Sequence, residues 1–397
     1  MNSLQLKITV LLLFATAQLY AQNYVLYSND SLSLYSEEFQ DSLTLNIHKP
    51  ETFNFADSST KYPITIVFDS QHKMTYPKIV HSFDLLTNEA SIPATLIVGI
   101  PFNYKNRFYR TSAQKKENDS LTGLERMENF LFEELIPILK KDYKANDHIT
   151  LIGHSRTAFL VNYLLTSQTA RIDNAISLSG FYSETPLKDG YLENFISNDN
   201  NFKTNVQYFA STGTTIGEEN YKRQYDALDT YLKTNTIAKN LKFNYTNTIN
   251  ANHITNYWMS VPQALLIVFD NYGQIIDDWL FVKLENKDIK TPIDEFKKDL
   301  SKLKQSLNLK ANPSVTHIFS FASFYYHNKD FKNAISFLQL GLEYYPDYLD
   351  FYPFLIECYD LAKDEKNRDY YTKLYKEKIN ASPFLTSSEK KELLKTD

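Results

Sequence analysis

The chain has 397 residues, a formal net charge of -5 and 43% hydrophobic residues. That length predicts two or three domains, and the apolar fraction supports sizeable cores, which excludes an intrinsically disordered chain. The acidic balance, with no early run of Lys and Arg, argues against a nucleic-acid-binding function.

Residues 1–21 have the pattern of a secretory signal. Lys7 supplies an early positive charge, and Ile8 to Ala17 form a mostly apolar run too short to span a bilayer. Ala21 is a small residue suited to cleavage. The expected location is therefore secreted or periplasmic. No later stretch reaches transmembrane length. Cys358 is the single cysteine, so no internal disulfide forms, and a buried apolar role in a helix is expected for it.

Alternation of apolar and polar residues over Asp41–Ile47, shortly before Pro50, predicts an early antiparallel strand. Pro63–Phe68, closed by Asp69-Ser70, and Ala94–Ile100, closed by Pro101, are nearly continuous apolar runs. Such runs suit parallel strands covered on both faces. Leu124, Met127, Phe130, Leu131, Ile136 and Leu139 recur at helical spacing and predict a helix over 124–139. His148–Ile152 is the next strand. Ala175–Leu178, Val206–Ala210 and Leu241–Tyr245 predict later strands, and Tyr221–Leu232 and Val261–Tyr272 predict helices. Strands alternating with helices imply an α/β sheet. The polar, aperiodic stretch Ser183–Thr204 reads either as a substrate-facing lid or as a disordered surface loop.

Composition changes near Lys287 to a helical, Lys- and Glu-rich tail. Ala322, Tyr325, Ala334, Leu338, Gly341 and Pro346 fall on the helix-contact positions of a tetratricopeptide repeat. A shift by one repeat length reaches Ile356, Tyr359 and Tyr375, but also Arg368 where a small residue is expected. One and a half such units do not bury a core alone, so the tail is expected to pack on the preceding domain or on another subunit. The predicted segments are a signal at 1–21, an α/β domain at 22–285 and a small all-α domain at 286–397.

The segment His148-Ile-Thr-Leu-Ile-Gly-His-Ser-Arg-Thr-Ala158 runs straight into the apolar stretch Phe159–Leu165. A strand that turns sharply into a helix through Gly-x-Ser is a nucleophile elbow, which lifts the Ser155 hydroxyl above the sheet. The bland alternative is a helix N-cap. The usual form is Gly-x-Ser-x-Gly, and Thr157 stands where the last glycine belongs. A β-branched side chain there is expected to crowd the contact between helix and strand, displacing the hydroxyl or slowing an enzyme. His154 reads as a packed or capping residue.

Several segments, in order, carry a family likeness: "YPITIVFDS", "IPATLIVGIP" followed by "NRFYRTSA", "FLFEELIPILKKDYKANDHITLIGHS", "ANHITNYWMSVPQAL" and "FSFASFYYHNKDFKNAISFLQLGLEYYPD". From about Tyr35 onward the chain resembles the esterase family of α/β-hydrolases, the group containing esterase D and the iron-siderophore esterases. It is most similar to the subset with a C-terminal repeat tail. The resemblance implies an α/β-hydrolase sheet with flanking helices plus a small helical-repeat domain. It also implies a carboxylic ester hydrolase that needs no cofactor and acts on a small-molecule ester. Siderophore esters and acylated carbohydrates both fit, and the residues do not choose between them.

In this fold the nucleophile precedes the acid and the acid precedes the histidine. Ser155 is then the nucleophile and His253 the base. His317 and His327, the other histidines beyond Ser155, lie in the tail. The acid is expected after the Val206–Ala210 strand, at Glu218 in preference to Glu219; both also suit the start of the following helix through its dipole. The oxyanion donors are expected to be the backbone N–H groups of Arg156 and Gln71. No Cys/His cluster has zinc-ligand spacing, so no metal site is expected. A rival reading is a catalytically degenerate hydrolase-fold protein that binds a protein partner, or itself, through the tail. A thioesterase or peptidase would share the same machinery.

Overall fold

The computed structural model describes residues 30–395, so the predicted signal at 1–21 lies outside the described residues. Eight strands form one sheet: β1 (Asp30–Ser36), β2 (Asp41–His48), β3 (Tyr62–Phe68), β4 (Leu96–Ile100), β5 (Ala145–His154), β6 (Asn174–Leu178), β7 (Val206–Gly213) and β8 (Leu241–Thr248). Their spatial order is β1-β2-β4-β3-β5-β6-β7-β8. β2 pairs antiparallel with β1 and β4, and all other neighbours are parallel. Every residue of β3, β4 and β6 is buried. That is why β3 and β4 read as nearly continuous apolar runs and not as alternations.

Helices cover both faces. In chain order they are α1 (Tyr76–Asn88), α2 (Tyr104–Arg110), α3 (residues 123–142), α4 (Arg156–Ser167), α5 (Tyr191–Ile196), α6 (Glu219–Thr234), α7 (His253–Val268) and α8 (Asp270–Asp278). Phe130–Leu135, the middle of α3, is π-helical. Sequence periodicity places a single helix over Val261–Tyr272, whereas the chain forms two, joined at Phe269; the first starts eight residues earlier, at His253. There Asn252 caps the helix by accepting from the N–H groups of Ile254 and Thr255. The Ser183–Thr204 stretch is not disordered. It folds into α5 and a short 3-10 turn, and buries Leu187, Leu192, Ile196 and Phe202.

The tail contains α9 (Pro292–Ser306), α10 (Val315–His327), α11 (Phe331–Tyr344), α12 (Phe351–Leu361), α13 (Glu365–Ala381) and α14 (Ser387–Leu393). Two of its turns repeat the same construction. Lys329 and Lys363 both take positive φ, at 60° and 59°. Asp330 and Asp364, each next in sequence, accept from the N–H groups of Asn333 and Asn367. Arg368, where a small residue is expected, is half-buried and pairs with Asp360 and Asp369.

The tail packs on the α/β body, at the amino ends of the strands. Asn312 donates to the Lys61 carbonyl before β3, and Asn308 to the Asp173 carboxylate before β6. Asn205, before β7, donates to the Gln305 carbonyl. The join is filled by Trp279, fully buried, with ring centroids 5.4 Å from Phe296 and 5.8 Å from Phe321. Its indole N–H donates to Asp299 at 2.9 Å. Trp279→Ala should therefore destabilise the protein by about 3–5 kcal/mol, measured by urea unfolding followed by circular dichroism.

Candidate active site

The site is built from the carboxyl ends of β3, β5, β6 and β7. After β5 the chain reverses at Ser155, with φ 56° and ψ -118°, and enters α4 at once. A non-glycine residue in that conformation is strained, and such strain concentrates at functional sites. The turn is held by the Ser155 N–H, which donates to the Leu178 carbonyl at 3.0 Å. Gly153 is required for the close approach of α4: a Cβ there would lie 2.3 Å from the Thr157 carbonyl oxygen.

Thr157 does not crowd the turn. It is fully buried, and its hydroxyl accepts from the His154 N–H at 2.9 Å and donates to Asp69 at 2.8 Å. The small residues that let the helix approach are Gly153 and, against Ala158, Gly180. The crowding expected at position 157 is thus absent, because the tight contacts fall elsewhere and the threonine hydroxyl has two partners.

His253, the first residue of α7, donates from Nδ1 to Glu218 Oε1 at 2.6 Å. A carboxylate only accepts, so this bond sets the proton on Nδ1 and leaves Nε2 as an acceptor. Glu218 is fully buried. Its second oxygen accepts from the Ser179 hydroxyl at 2.5 Å and the Gly213 N–H at 2.8 Å. Burial pushes the Glu218 carboxyl up, but hydrogen bonds from His253, Ser179 and Gly213 outweigh it and hold the group below its ordinary value. Glu219, the alternative, is exposed at the start of α6.

The His253 ring stacks on Tyr221 with centroids 4.6 Å apart. On its other flank is His154, the residue before Ser155, with centroids 4.5 Å apart. His154 Nε2 donates to the His253 carbonyl at 2.7 Å, so the elbow and the histidine loop are joined directly. No hydrogen bond among the described residues joins the Ser155 hydroxyl to the His253 ring. His154 itself stacks on Tyr257, whose hydroxyl donates to the Phe68 carbonyl at 2.6 Å.

Arg156 and Gln71 also lie at this edge. The Arg156 N–H opens α4, where it has no intrahelical acceptor. The Arg156 guanidinium pairs with Glu184 at 2.7 and 2.8 Å and lies over the rings of Phe108 and Phe181. The Gln71 side chain is fixed at both ends, donating to Asp69 at 2.8 Å and accepting from the Phe102 N–H at 2.9 Å. Exposed apolar side chains sit on the same loops: Met74 after Gln71, Phe108 on α2, Ile216 before Glu218 and Ile254 after His253.

Sequence reasoning misses Asp69, Arg107, Ser179 and Asn256. Asp69 follows a nearly continuous apolar strand, which is a usable signal. Ser179 and Asn256 have none, since only the fold brings them to Glu218 and Ser211. Among the described residues no group of three or more His, Cys, Asp or Glu side chains is arranged to hold a metal ion. No helix among them is long and apolar enough to cross a membrane.

This strand order, with a serine at a strained strand-to-helix reversal and a histidine–carboxylate pair beside it, defines an α/β-hydrolase. Residues 36–255, more than half of the chain, match the family described as "Putative esterase", and the chain belongs to that family. No curated protein matches the sequence. Among solved structures the chain is similar to an IroE-like serine hydrolase from Shewanella oneidensis, with a TM-score of 0.63 at 16% identity, covering 79% of this chain and 98% of that one. It is also similar to an uncharacterised protein from Capnocytophaga ochracea, with a TM-score of 0.57 at 16% identity, covering 92% and 98%. A third is the BES protein from Bacillus cereus, with a TM-score of 0.52 at 20% identity, covering 62% and 97%. At these identities the likeness is one of fold.

His154 makes acid stability testable. Burial, then the neighbouring His253, pushes its pKa down to about 3 from an ordinary 6.5. Between those values the unfolded chain binds a proton that the folded chain refuses. Stability is thus complete above 6.5 and falls as the pH drops towards 3. His154→Gln should flatten that acid slope by up to about 1.4 kcal/mol per pH unit, read from urea midpoints across the range.

Proposed function

We propose that the protein is a serine esterase with Ser155 as nucleophile, His253 as base and Glu218 as the acid that orients it. The observation that carries this reading is the Nδ1 bond from His253 to a buried, ionised Glu218, which leaves Nε2 free to accept a proton. In this mechanism Ser155 Oγ attacks the ester carbonyl carbon while its proton passes to His253 Nε2. The N–H groups of Arg156 and Gln71 take the charge that develops on the carbonyl oxygen. His253 then protonates the departing alcohol, and water activated by the same nitrogen hydrolyses the acyl-enzyme. Glu218 stays ionised throughout and stabilises the imidazolium.

Residues 22–285 form the catalytic unit in this reading, and 286–397 a tetratricopeptide-like tail available to a protein partner or a second copy. Residues 1–21 act as a secretory signal, placing the enzyme outside the cell or in the periplasm. The aromatic and aliphatic side chains around the cleft favour an ester with an apolar or aromatic portion. Siderophore esters and acylated carbohydrates bearing such groups are the candidate substrates. The rival binding-protein reading gains from a misfit Thr157 or an acid that does not reach His253. It is weakened by a threonine that fits and by a carboxylate on His253.

A fluorophosphonate probe should label the wild-type protein, and Ser155→Ala should abolish labelling. Glu218→Gln should lower kcat by on the order of 10²–10⁴-fold on the best of a panel of aryl esters, thioesters and peptide amides. Unlabelled wild-type protein, or labelling that survives Ser155→Ala, would reject the assignment. A preference for the thioesters or amides would move the substrate class.

A further inference from the structure

A second carboxylate is buried at the same edge of the sheet, and the proposed triad does not use it. Asp69 follows β3, is fully buried and takes a positive φ of 63°. Its two oxygens receive four side-chain contacts. Arg107 donates from Nε at 2.6 Å and from Nη2 at 2.7 Å, Gln71 from Nε2 at 2.8 Å and Thr157 from Oγ1 at 2.8 Å. These donors belong to three separate segments: the loop after β3, helix α2 after β4, and the elbow helix α4 after β5.

We infer that Asp69 is a positioning residue for both oxyanion donors, and that Thr157 is the hydrogen-bonded strut tying it to the elbow. The inference rests on the esterase reading above. Gln71 and Arg156 would supply the two N–H groups, and a short chain of bonds joins them: Gln71 to Asp69, Asp69 to Thr157, and Thr157 to Arg156 through the backbone. The distance between the two donors is then set by one carboxylate. Oxyanion donors act through preorganisation, so a displacement well under the length of a hydrogen bond is felt in the rate.

Each part has a feature that a merely structural ion pair does not need. Gln71 is held at both ends of its amide, so the loop cannot rotate the N–H away. The Thr157 hydroxyl also accepts from the His154 N–H, which fixes the residues on both sides of Ser155. Arg107 supplies the positive charge that keeps Asp69 ionised despite its burial, by a paired contact that sets direction as well as charge. A glycine at 157 would allow the same helix packing but would leave α4 with no bond to Asp69. The residue that breaks the usual elbow pattern thus carries the connection.

The test uses the full chain and four variants: Thr157→Val, which keeps the shape and removes the hydroxyl; Thr157→Ser, which restores it; Arg107→Lys, which keeps the charge but breaks the paired contact; and Ser155→Ala. An aryl ester reports kcat and KM. An aryl boronic acid, which adds to the serine hydroxyl as a tetrahedral adduct, reports binding of a transition-state mimic. Thr157→Val should lower kcat at least about tenfold with KM nearly unchanged, and boronate affinity should fall in parallel. Thr157→Ser should recover most of both, and Arg107→Lys should lose both in part.

If Thr157→Val does not fold, Arg107→Lys and Thr157→Ser decide the matter by the same two readouts. A folded Thr157→Val or Arg107→Lys that keeps kcat and boronate affinity, or that raises KM alone, overturns the inference while fluorophosphonate labelling at Ser155 still supports the esterase reading. A wild type that is not labelled, or a Ser155→Ala protein that hydrolyses the ester as fast, removes the esterase reading and this inference with it.

Discussion

At φ 56° and ψ -118° Ser155 stands in backbone space that an L-residue avoids, at a cost on the order of 1–3 kcal/mol. The elbow exists only because its flanks are clamped. Its N–H is fixed to β6, the His154 N–H to Thr157, the His154 ring to the His253 carbonyl, and Thr157 to Asp69. Asp69 and Ser179, after the two strands that flank β5, also take positive φ, at 63° and 45°. All three strained residues belong to one hydrogen-bonded region. Ser179 donates to Glu218, and Asp69 accepts from Thr157 beside the elbow, so each turn is held by bonds to a neighbouring segment.

The two buried acids of this region are compensated in different ways, and the difference divides their labour. Asp69 has a full positive charge beside it in Arg107. Glu218 has neutral donors, Ser179 and the Gly213 N–H, and faces His253. A positive charge appearing on His253 would therefore be met by a carboxylate that no fixed cation has already neutralised. His154 lies against the same ring and stays neutral because burial holds its pKa near 3, so it adds no repulsion to that charge. Asp69, already paired, is suited to hold geometry, and Glu218 to answer a change of charge.

Much of the architecture is legible because fully buried parallel strands leave nearly continuous apolar runs, as at Tyr62–Phe68 and Leu96–Ile100. The edge strand Asp30–Ser36 is not, since half-exposed residues such as Leu32 and Leu34 alternate with serines and leave a weak signal. Helix Tyr104–Arg110 was missed because it is short, polar and largely exposed. At the site, Ser155 is legible from the Gly-x-Ser turn and His253 from chain order and its likeness to the family segment. The preference for Glu218 over Glu219 is slight in sequence, because the choice between them depends on which side of a turn faces His253. The Thr157 contact was beyond sequence reasoning for a related reason: its partner Asp69 lies far up the chain, and only the pairing of β3 with β5 brings them together.

The tail meets the body at the amino ends of the strands, through Asn205, Asn308 and Asn312, whereas Ser155, Glu218 and His253 lie at the carboxyl ends. Contacts made there are separated from Ser155, Glu218 and His253 by the length of the strands. The apolar side chains that face solvent near the cleft, such as Met74, Ile216 and Ile254, come from the body's own loops. Those loops also carry the proposed catalytic groups, so substrate recognition and catalysis would be shaped by the same segments. A partner bound to the tail and an ester bound at the elbow would occupy opposite ends of the molecule. The binding and catalytic readings are thus compatible in space, and only the second accounts for a buried carboxylate hydrogen-bonded to the Nδ1 of an imidazole.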